Sequence, residues 1–347
     1  MQKLPKREPD YNNIMKVLKR EAPDRPTLYE FFTNVNLMRP FMEAEGSWLS
    51  DDAPFGGQRN YMKAYARGGY DYATIPVWDY NLLGFKAGER KKERTISLND
   101  GAVISDEASL EAYAWPEADE AQYEQLGEIG PYVPEGMCLM VVAPGGILEN
   151  MIRLAGYENL CIMLAMEPHV VERMAREIGD RMLRHYELAL EHDFIKLAVL
   201  NDDWGFKTQT MLSTEDMRKY VFPQHKRIVE AIHAAGRPAI LHSCGQMVEV
   251  WDDIIDDIGY DGKHSYEDNI IPVEESYDRW GDRIAILGGI DMDFLARETP
   301  EAVYKRSRAM LERAQNKGGY ALGSGNSIPD YIPAENYYAM LRAALEA

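Results

Sequence analysis

The sequence predicts an α/β chain folded as a (β/α)8 barrel. Three observations lead there: eight short β-rich runs, a helix-like stretch after most of them, and no repeat, low-complexity tract or Pro-rich linker to divide the chain. The runs are Thr27–Phe32, Ala73–Val77, Cys138–Ala143, Ile195–Leu200, Pro238–His242, Gly262–Ser265, Ile284–Gly288 and Gly319–Leu322. Strands alternating with helices imply parallel βαβ units, and a count of eight favours a closed barrel over an open, doubly wound sheet.

Taken in order, residues before the first run form an N-terminal extension. After the second run, residues 84–135 are polar and irregular, with Gly84, Gly88, Asn99-Asp100-Gly101 and Trp115-Pro116 breaking every periodicity. They read as a long βα insertion over the barrel mouth. Further on, Ser213-Thr214-Glu215-Asp216 opens a helix through Arg218–His233 that Ala235-Gly236 closes, and Thr299-Pro300 opens another that carries on through Met310 to the Gly318-Gly319 stop. The expected organisation is one domain over residues 1–347.

Composition narrows the function. At 46% hydrophobic and 27% charged residues, the chain has the means to bury an ordinary core. Its 57 acidic against 38 basic residues give a net charge of −19, which argues against nucleic acid as a partner, since that affinity comes from clustered Lys and Arg. The short basic run Arg90-Lys91-Lys92-Glu93-Arg94 reads as a solvated loop. No apolar stretch approaches the roughly 18 residues of a membrane span, and the first residues lack the apolar core of a signal peptide. The expectation is a cytoplasmic protein with no membrane partner, a homodimer being left open. Cys138, Cys161 and Cys244 are too few and too scattered for a disulfide framework.

Active sites of such barrels lie at the C-terminal ends of the strands. That rule nominates Glu30 and Asn34, Trp78 and Asp79, Asn201, Asp202 and Asp203, His242 and Cys244, His264, Tyr266 and Glu267, Asp291, and Ser324 with Asn326. His242 and Cys244, at i and i+2 where a strand leaves the sheet, point the same way and can grip one metal. The bland alternative is a hydrogen-bonded histidine beside a small buried thiol. Zinc needs a further donor, to come from Asp202, Asp203, Glu267 or His264. The adjacent carboxylates Asp202 and Asp203 suit acid–base or cation chemistry, although one of them can equally cap a helix. Gly318–Pro329 lacks both the Walker and the dinucleotide pattern; it reads as an anion cradle or as a tight turn. Trp78, Tyr80, Trp204 and Tyr266 offer walls for a flat substrate, or simply core.

Several segments then carry a resemblance: Asn201-Asp-Asp-Trp-Gly205, Met211-Leu-Ser-Thr-Glu-Asp216, Val221-Phe-Pro223, Ala234-Ala-Gly236 and Leu241-His-Ser-Cys-Gly-Gln246. Arg20–Pro26, Leu287–Asp291, Gly318–Leu322 and Ile328–Pro333 extend it over nearly the whole chain. Together they resemble the uroporphyrinogen decarboxylase-like superfamily, closest to its corrinoid-linked methyltransferases. The decarboxylases carry an arginine-rich segment after the first strand to hold substrate carboxylates, whereas here that stretch reads Glu30-Phe31-Phe32-Thr33-Asn34-Val35-Asn36. Coenzyme M methyltransferases of the superfamily bind zinc through His-x-Cys and a second, distant Cys, and here Asn326 stands in that second place.

The resemblance therefore implies a corrinoid-dependent methyltransferase acting on a small methylated compound, with oxygen or nitrogen bearing the methyl group and a methoxylated aromatic as the leading candidate. The acceptor would be a corrinoid on a separate partner protein, and zinc would sit on His242, Cys244 and Asp202 or Asp203. Asp202, Asp203 and His242 are the expected catalytic residues, with Glu30, Asn34, Trp78, His264, Tyr266 and Asn326 shaping the substrate pocket. A uroporphyrinogen decarboxylase and a non-catalytic small-molecule or corrinoid-protein binding barrel are the alternatives.

Overall fold

The computed structural model describes residues 4–50, 52–75, 82–88 and 97–347. Among them seven strands form a single sheet whose spatial order is the chain order, with every pairing parallel: β1 (Tyr72–Thr74), β2 (Cys138–Val142), β3 (Ile195–Asn201), β4 (Ala239–His242), β5 (Gly262–His264), β6 (Ala285–Leu287) and β7 (Tyr320–Ala321). Helices cover the sheet, so a strand such as β2 is buried along its full length and reads as an unbroken apolar run, Cys-Leu-Met-Val-Val.

α1 (Asn12–Leu18), α2 (Arg39–Ala44) and α3 (Gly56–Gly68) precede β1, and α4 (Glu107–Ala112) and α5 (Glu120–Leu126) lie between β1 and β2. α6 (Ile147–Ala155), α7 (Tyr157–Met166) and α8 (Pro168–Ala189) lead to β3; α9 (Thr214–Asp216) and α10 (Phe222–Ala234) lead to β4. α11 (Val273–Trp280) follows β5, α12 (Met292–Arg297) and α13 (Pro300–Ala314) follow β6, and α14 (Ala334–Leu345) follows β7. No helix among the described residues is long and apolar enough to cross a membrane.

The structure corrects the expected first strand. Thr27–Phe32 is reduced to a single bridge between Leu28 and Leu322, next to β7. On its other side, side chains of β1 take the place of the ladder. The Tyr72 hydroxyl donates to the Glu30 carbonyl (2.6 Å) and accepts from the Glu30 N–H (2.8 Å), and Thr74 Oγ1 donates to the Phe31 carbonyl (2.6 Å). The segment's polar backbone is thus satisfied without a strand. It still touches both edges of the sheet, so it joins β7 to β1.

The helix ends behave as their residues dictate. Ser213 accepts the Asp216 N–H and Thr299 the Ala302 N–H, each a side-chain N-cap. The helix expected to run through Arg218–His233 carries a π turn at Met217–Val221 just ahead of Pro223, whose missing N–H prevents regular α pairing at that point. In the 84–135 segment the irregular polar stretch contains the two short helices α4 and α5, which pack against α8. Arg181 bonds the Pro116 carbonyl and Glu117, and the Tyr123 hydroxyl lies 2.6 Å from His185 Nδ1.

Candidate functional site

Strand register brings the site together. Asn201 pairs with His242 and His242 with His264, so three adjacent strands end side by side on these residues. Ser243 and Cys244 then carry the chain off β4, and the metal-binding atoms of Asp203, His242 and Cys244 all lie within 4.8 Å of one another. An imidazole nitrogen, a sulfur and a carboxylate oxygen at this separation fit one zinc with three protein ligands and an open position.

The thiol is surrounded by polar groups. Cys244 Sγ lies 3.9 Å from His242 Nε2 and 3.4 Å from Ser265 Oγ, and Asn326 Nδ2 donates to it at 3.3 Å. Its own N–H donates to Asp203 Oδ1 (2.9 Å), which ties the carboxylate to the thiol's backbone. Burial, reinforced by the negative charge of Asp203, pushes the free thiol up to about 12. A cation arriving there removes that penalty and takes the proton's place. Burial, helped by His264 and Lys263, holds the His242 pKa well below its usual value, so the ring is neutral and able to ligate. Phe31 stacks on that ring at 4.2 Å between centroids.

Asp202 does not belong to this group, contrary to the expectation that it ligates the metal with His242 and Cys244. It is fully buried on the other side of the chain, where it accepts the N–H groups of Leu148 (3.0 Å) and Glu149 (2.8 Å) at the start of α6. His225 Nε2 sits 2.8 Å from the same carboxylate, and His225 Nδ1 lies 2.6 Å from the Tyr260 hydroxyl. Successive residues of an extended chain face opposite ways, so Asp203 faces the thiol when Asp202 faces the helix. The contact is tight: a Cβ on Gly146 would stand 2.0 Å from Asp202 Cβ, so only glycine fits there.

The other nominated residues scatter. Glu30 is buried with its carboxylate taken by Ser324, which donates its N–H (2.7 Å) and Oγ (2.5 Å). Desolvation pushes the Glu30 pKa up to about 8. Asn34 caps the short 3-10 turn Val35–Leu37 and donates to Asp330 (2.6 Å), so it ties two loops together. His264 contacts His242 through their Nδ1 atoms at 2.8 Å. Tyr266 donates to the Lys263 carbonyl (3.1 Å) and helps line a small cavity with Gln246, Trp251 and Glu267. Asp291 is an N-cap, accepting from Asp293 and Phe294. Trp204 is core, wholly buried between Phe222 and His225, and makes no substrate wall. Trp78, Asp79, Tyr80 and the Arg90–Arg94 run lie outside the described residues. The glycines of 318–325 serve close backbone packing: a Cβ on Gly323 would stand 1.6 Å from the Tyr29 carbonyl oxygen.

Sequence reasoning missed three groups. Lys263, in the middle of β5, is buried with its ammonium on the Ser265 carbonyl and 4.3 Å from the Tyr266 ring centroid, and desolvation lowers it to about 7. Glu149, half-buried and close to both aspartates, is raised to about 8 by desolvation and then by their charges. His225 completes the Asp202 cluster. A lysine inside a strand was the one signal available; the partners of Glu149 and His225 come from remote elements.

Comparison with known proteins follows the same lines. A sequence family described as Uroporphyrinogen decarboxylase (URO-D) matches residues 134–347. A methylated-thiol–coenzyme M methyltransferase from Methanosarcina mazei is 25% identical over 194 residues, 56% of this chain and 49% of that protein. A uroporphyrinogen decarboxylase from Bacillus mycoides is 23% identical over 234 residues, 60% of this chain and 63% of that protein. The alignments thus span about half to two thirds of these relatives. Among solved structures, a methyltransferase from Methanosarcina mazei superposes with a TM-score of 0.71 at 16% identity, covering 98% of this chain and 99% of its own, which establishes a shared fold.

Proposed function

The chain belongs to the uroporphyrinogen decarboxylase (URO-D) family, and on that premise we propose that it is a methyltransferase, moving a methyl group from a methoxylated aromatic compound to a corrinoid carried by a separate protein. The observation that carries this reading is the convergence of Asp203, His242 and Cys244, with Asn326 bonded to the thiol. A single sulfur beside nitrogen and oxygen donors is a harder set than two thiolates, and it suits a leaving group that departs as an oxygen anion.

In this reading His242 Nε2, Cys244 Sγ and the Asp203 carboxylate hold a zinc ion. Zinc bound there would supply Lewis-acid stabilisation of the oxygen that loses its methyl group. The residues do the rest. With that ion bound Cys244 would stand as the thiolate, its proton released to solvent, and the Asn326 N–H would stabilise the sulfur's charge. The stacked Phe31 ring fixes the plane of His242. Tyr266 and Asn326 border the space where the donor binds, and the methyl carbon bonds to the reduced corrinoid of the partner protein, which supplies the electron pair, as the C–O bond breaks with its own pair left on oxygen. The proposed architecture is one (β/α)8 domain over residues 1–347, with the 27–32 segment closing the barrel and 84–135 as an insertion. A cytoplasmic location suits a site that depends on a free thiol.

The purified protein is tested for zinc and for methylation of reduced cobalamin, free or protein-bound, against methoxyarenes, methanol and methylamines. Stoichiometric zinc, lost in His242→Ala, together with methylcobalamin formation from a methoxyarene is the expected result. No methyl transfer from any of these donors would overturn the proposal. Uroporphyrinogen decarboxylation, favoured by the Bacillus match, is the second reading. It requires cationic partners for the substrate carboxylates, and residues 30–36 contain no Lys or Arg.

A further inference from the structure

The hydrogen bonds behind His242 have only one consistent proton order. The Ser324 carbonyl, which already accepts the Gly289 N–H (2.8 Å), lies 3.2 Å from His264 Nε2. A carbonyl cannot donate, so His264 carries its proton on Nε2. Both rings are buried, and their hydrogen bonds run to each other, to the Ser324 carbonyl and to the Cys244 thiol, none of which brings a negative charge to hold a second proton, so each ring is neutral with one proton. His264 Nδ1 is therefore a bare acceptor. It faces His242 Nδ1 at 2.8 Å, which must donate, and His242 Nε2 is left as an open lone pair on the side of Cys244.

We infer that His264 is a positioning residue: through the Nδ1–Nδ1 hydrogen bond it locks His242 in the Nδ1–H tautomer and presents Nε2 to the Asp203–Cys244 side. The lock is anchored at both ends. Ser324 is held by its two hydrogen bonds to Glu30 and by a bridge to Ile290, so its carbonyl cannot swing away. Tyr29 packs on the His264 ring at 5.0 Å between centroids and Phe31 on the His242 ring at 4.2 Å, which limits rotation of either. Metal-bound histidines commonly donate their second nitrogen to a carbonyl or carboxylate; here another imidazole is interposed, and it passes the carbonyl's demand on to the ligand. The consequence for zinc rests on the metal reading above, whereas the tautomer itself does not.

The test uses the full-length, metal-free protein labelled with 15N-histidine, with His242 identified by its loss in His242→Asn. Long-range 1H–15N spectra are expected to show His242 protonated on Nδ1. In His264→Phe that signature is expected to give way to Nε2–H, with zinc affinity, read by chelator competition, falling by about 10- to 100-fold. His264→Gln, whose amide can accept from His242 and donate to Ser324, is expected to restore both. A wild-type His242 protonated on Nε2 overturns the inference, and this readout does not depend on any His264 variant. So does a His264→Phe protein with unchanged tautomer. If the tautomer order holds but wild-type protein binds no zinc, the lock stands and the metal-site reading fails.

Discussion

Asp202 receives two backbone N–H groups and sits against the His225 imidazole, whereas Asp203, one residue later, receives one backbone N–H and faces His242 and Cys244. Each aspartate has a histidine within reach, and the two clusters have opposite characters. The first is saturated, wholly buried and anchors the start of α6 to the end of β3. The second keeps free lone pairs beside a neutral imidazole and a thiol, the condition for taking up a cation. A buried carboxylate with every acceptor filled is structural, while one with acceptors to spare beside other ligand atoms can do chemistry.

The largest expected effect separates the two by activity. Asp203→Ala or His242→Ala should lower methyl transfer by about 10²- to 10³-fold, the loss typical of removing one group that stabilises developing charge. Bound zinc should disappear from either variant, and Asp203→Ala should keep a thermal midpoint near that of metal-free wild type. Full zinc and turnover in Asp203→Ala would erase the distinction. Asp202→Ala should do the reverse, costing about 3 kcal/mol in urea unfolding because it strands two helix N–H groups and His225. Its folded fraction should keep wild-type zinc content, and a stable but zinc-free Asp202→Ala protein would exchange the two roles.

Glu30 sharpens the contrast, as a saturated carboxylate whose donors are both neutral groups of Ser324. With its folded pKa raised to about 8 by burial, above the usual unfolded value, the folded chain holds a proton that the unfolded chain has released. Stability contributed by this group therefore falls as pH rises from the unfolded pKa toward 8, by about 1.4 kcal/mol per pH unit. Urea titrations across that window should show this slope flattened in Glu30→Gln, and an unchanged slope would mean that Glu30 is ionised in the fold. The smallest effect concerns the fourth side of the open cluster. Asn326→Cys should tighten zinc by about tenfold, or 1.4 kcal/mol, by adding a second thiolate; chelator competition would reveal a weaker site if Asn326 is itself a ligand.

How much of this was legible in the chain differs from element to element. β2, β3, β4 and β6 stand out because parallel strands buried on both faces need mostly apolar residues, whereas β5, Gly-Lys-His, carries little of that pattern. The Thr27–Phe32 run looks the same and forms only a bridge, because the Tyr72 hydroxyl and Thr74 Oγ1 occupy the backbone groups that a ladder would use. The closeness of His242 and Cys244 follows from spacing alone. Which aspartate joins them does not, since the alternation of faces has to be counted from the point where β3 leaves the sheet, and that point is set by pairing with β4. Lys263 was passed over as an ordinary strand residue because its burial, and the turn that brings Ser265 and Tyr266 back onto its ammonium beside Trp251, are set by the fold.

The amino-acid sequence by itself determined the family, the parallel strand set and the inventory of ligand-capable side chains, since these depend on local pattern and residue type. Tertiary structure alone decided that Asp203 rather than Asp202 faces the thiol, that Asn326 reaches Cys244, and that His264 stands behind His242. Those facts rest on register between β3, β4 and β5 and on the loop after β7 reaching the end of β4. A shift of one residue in that register would turn every one of these side chains to the other face.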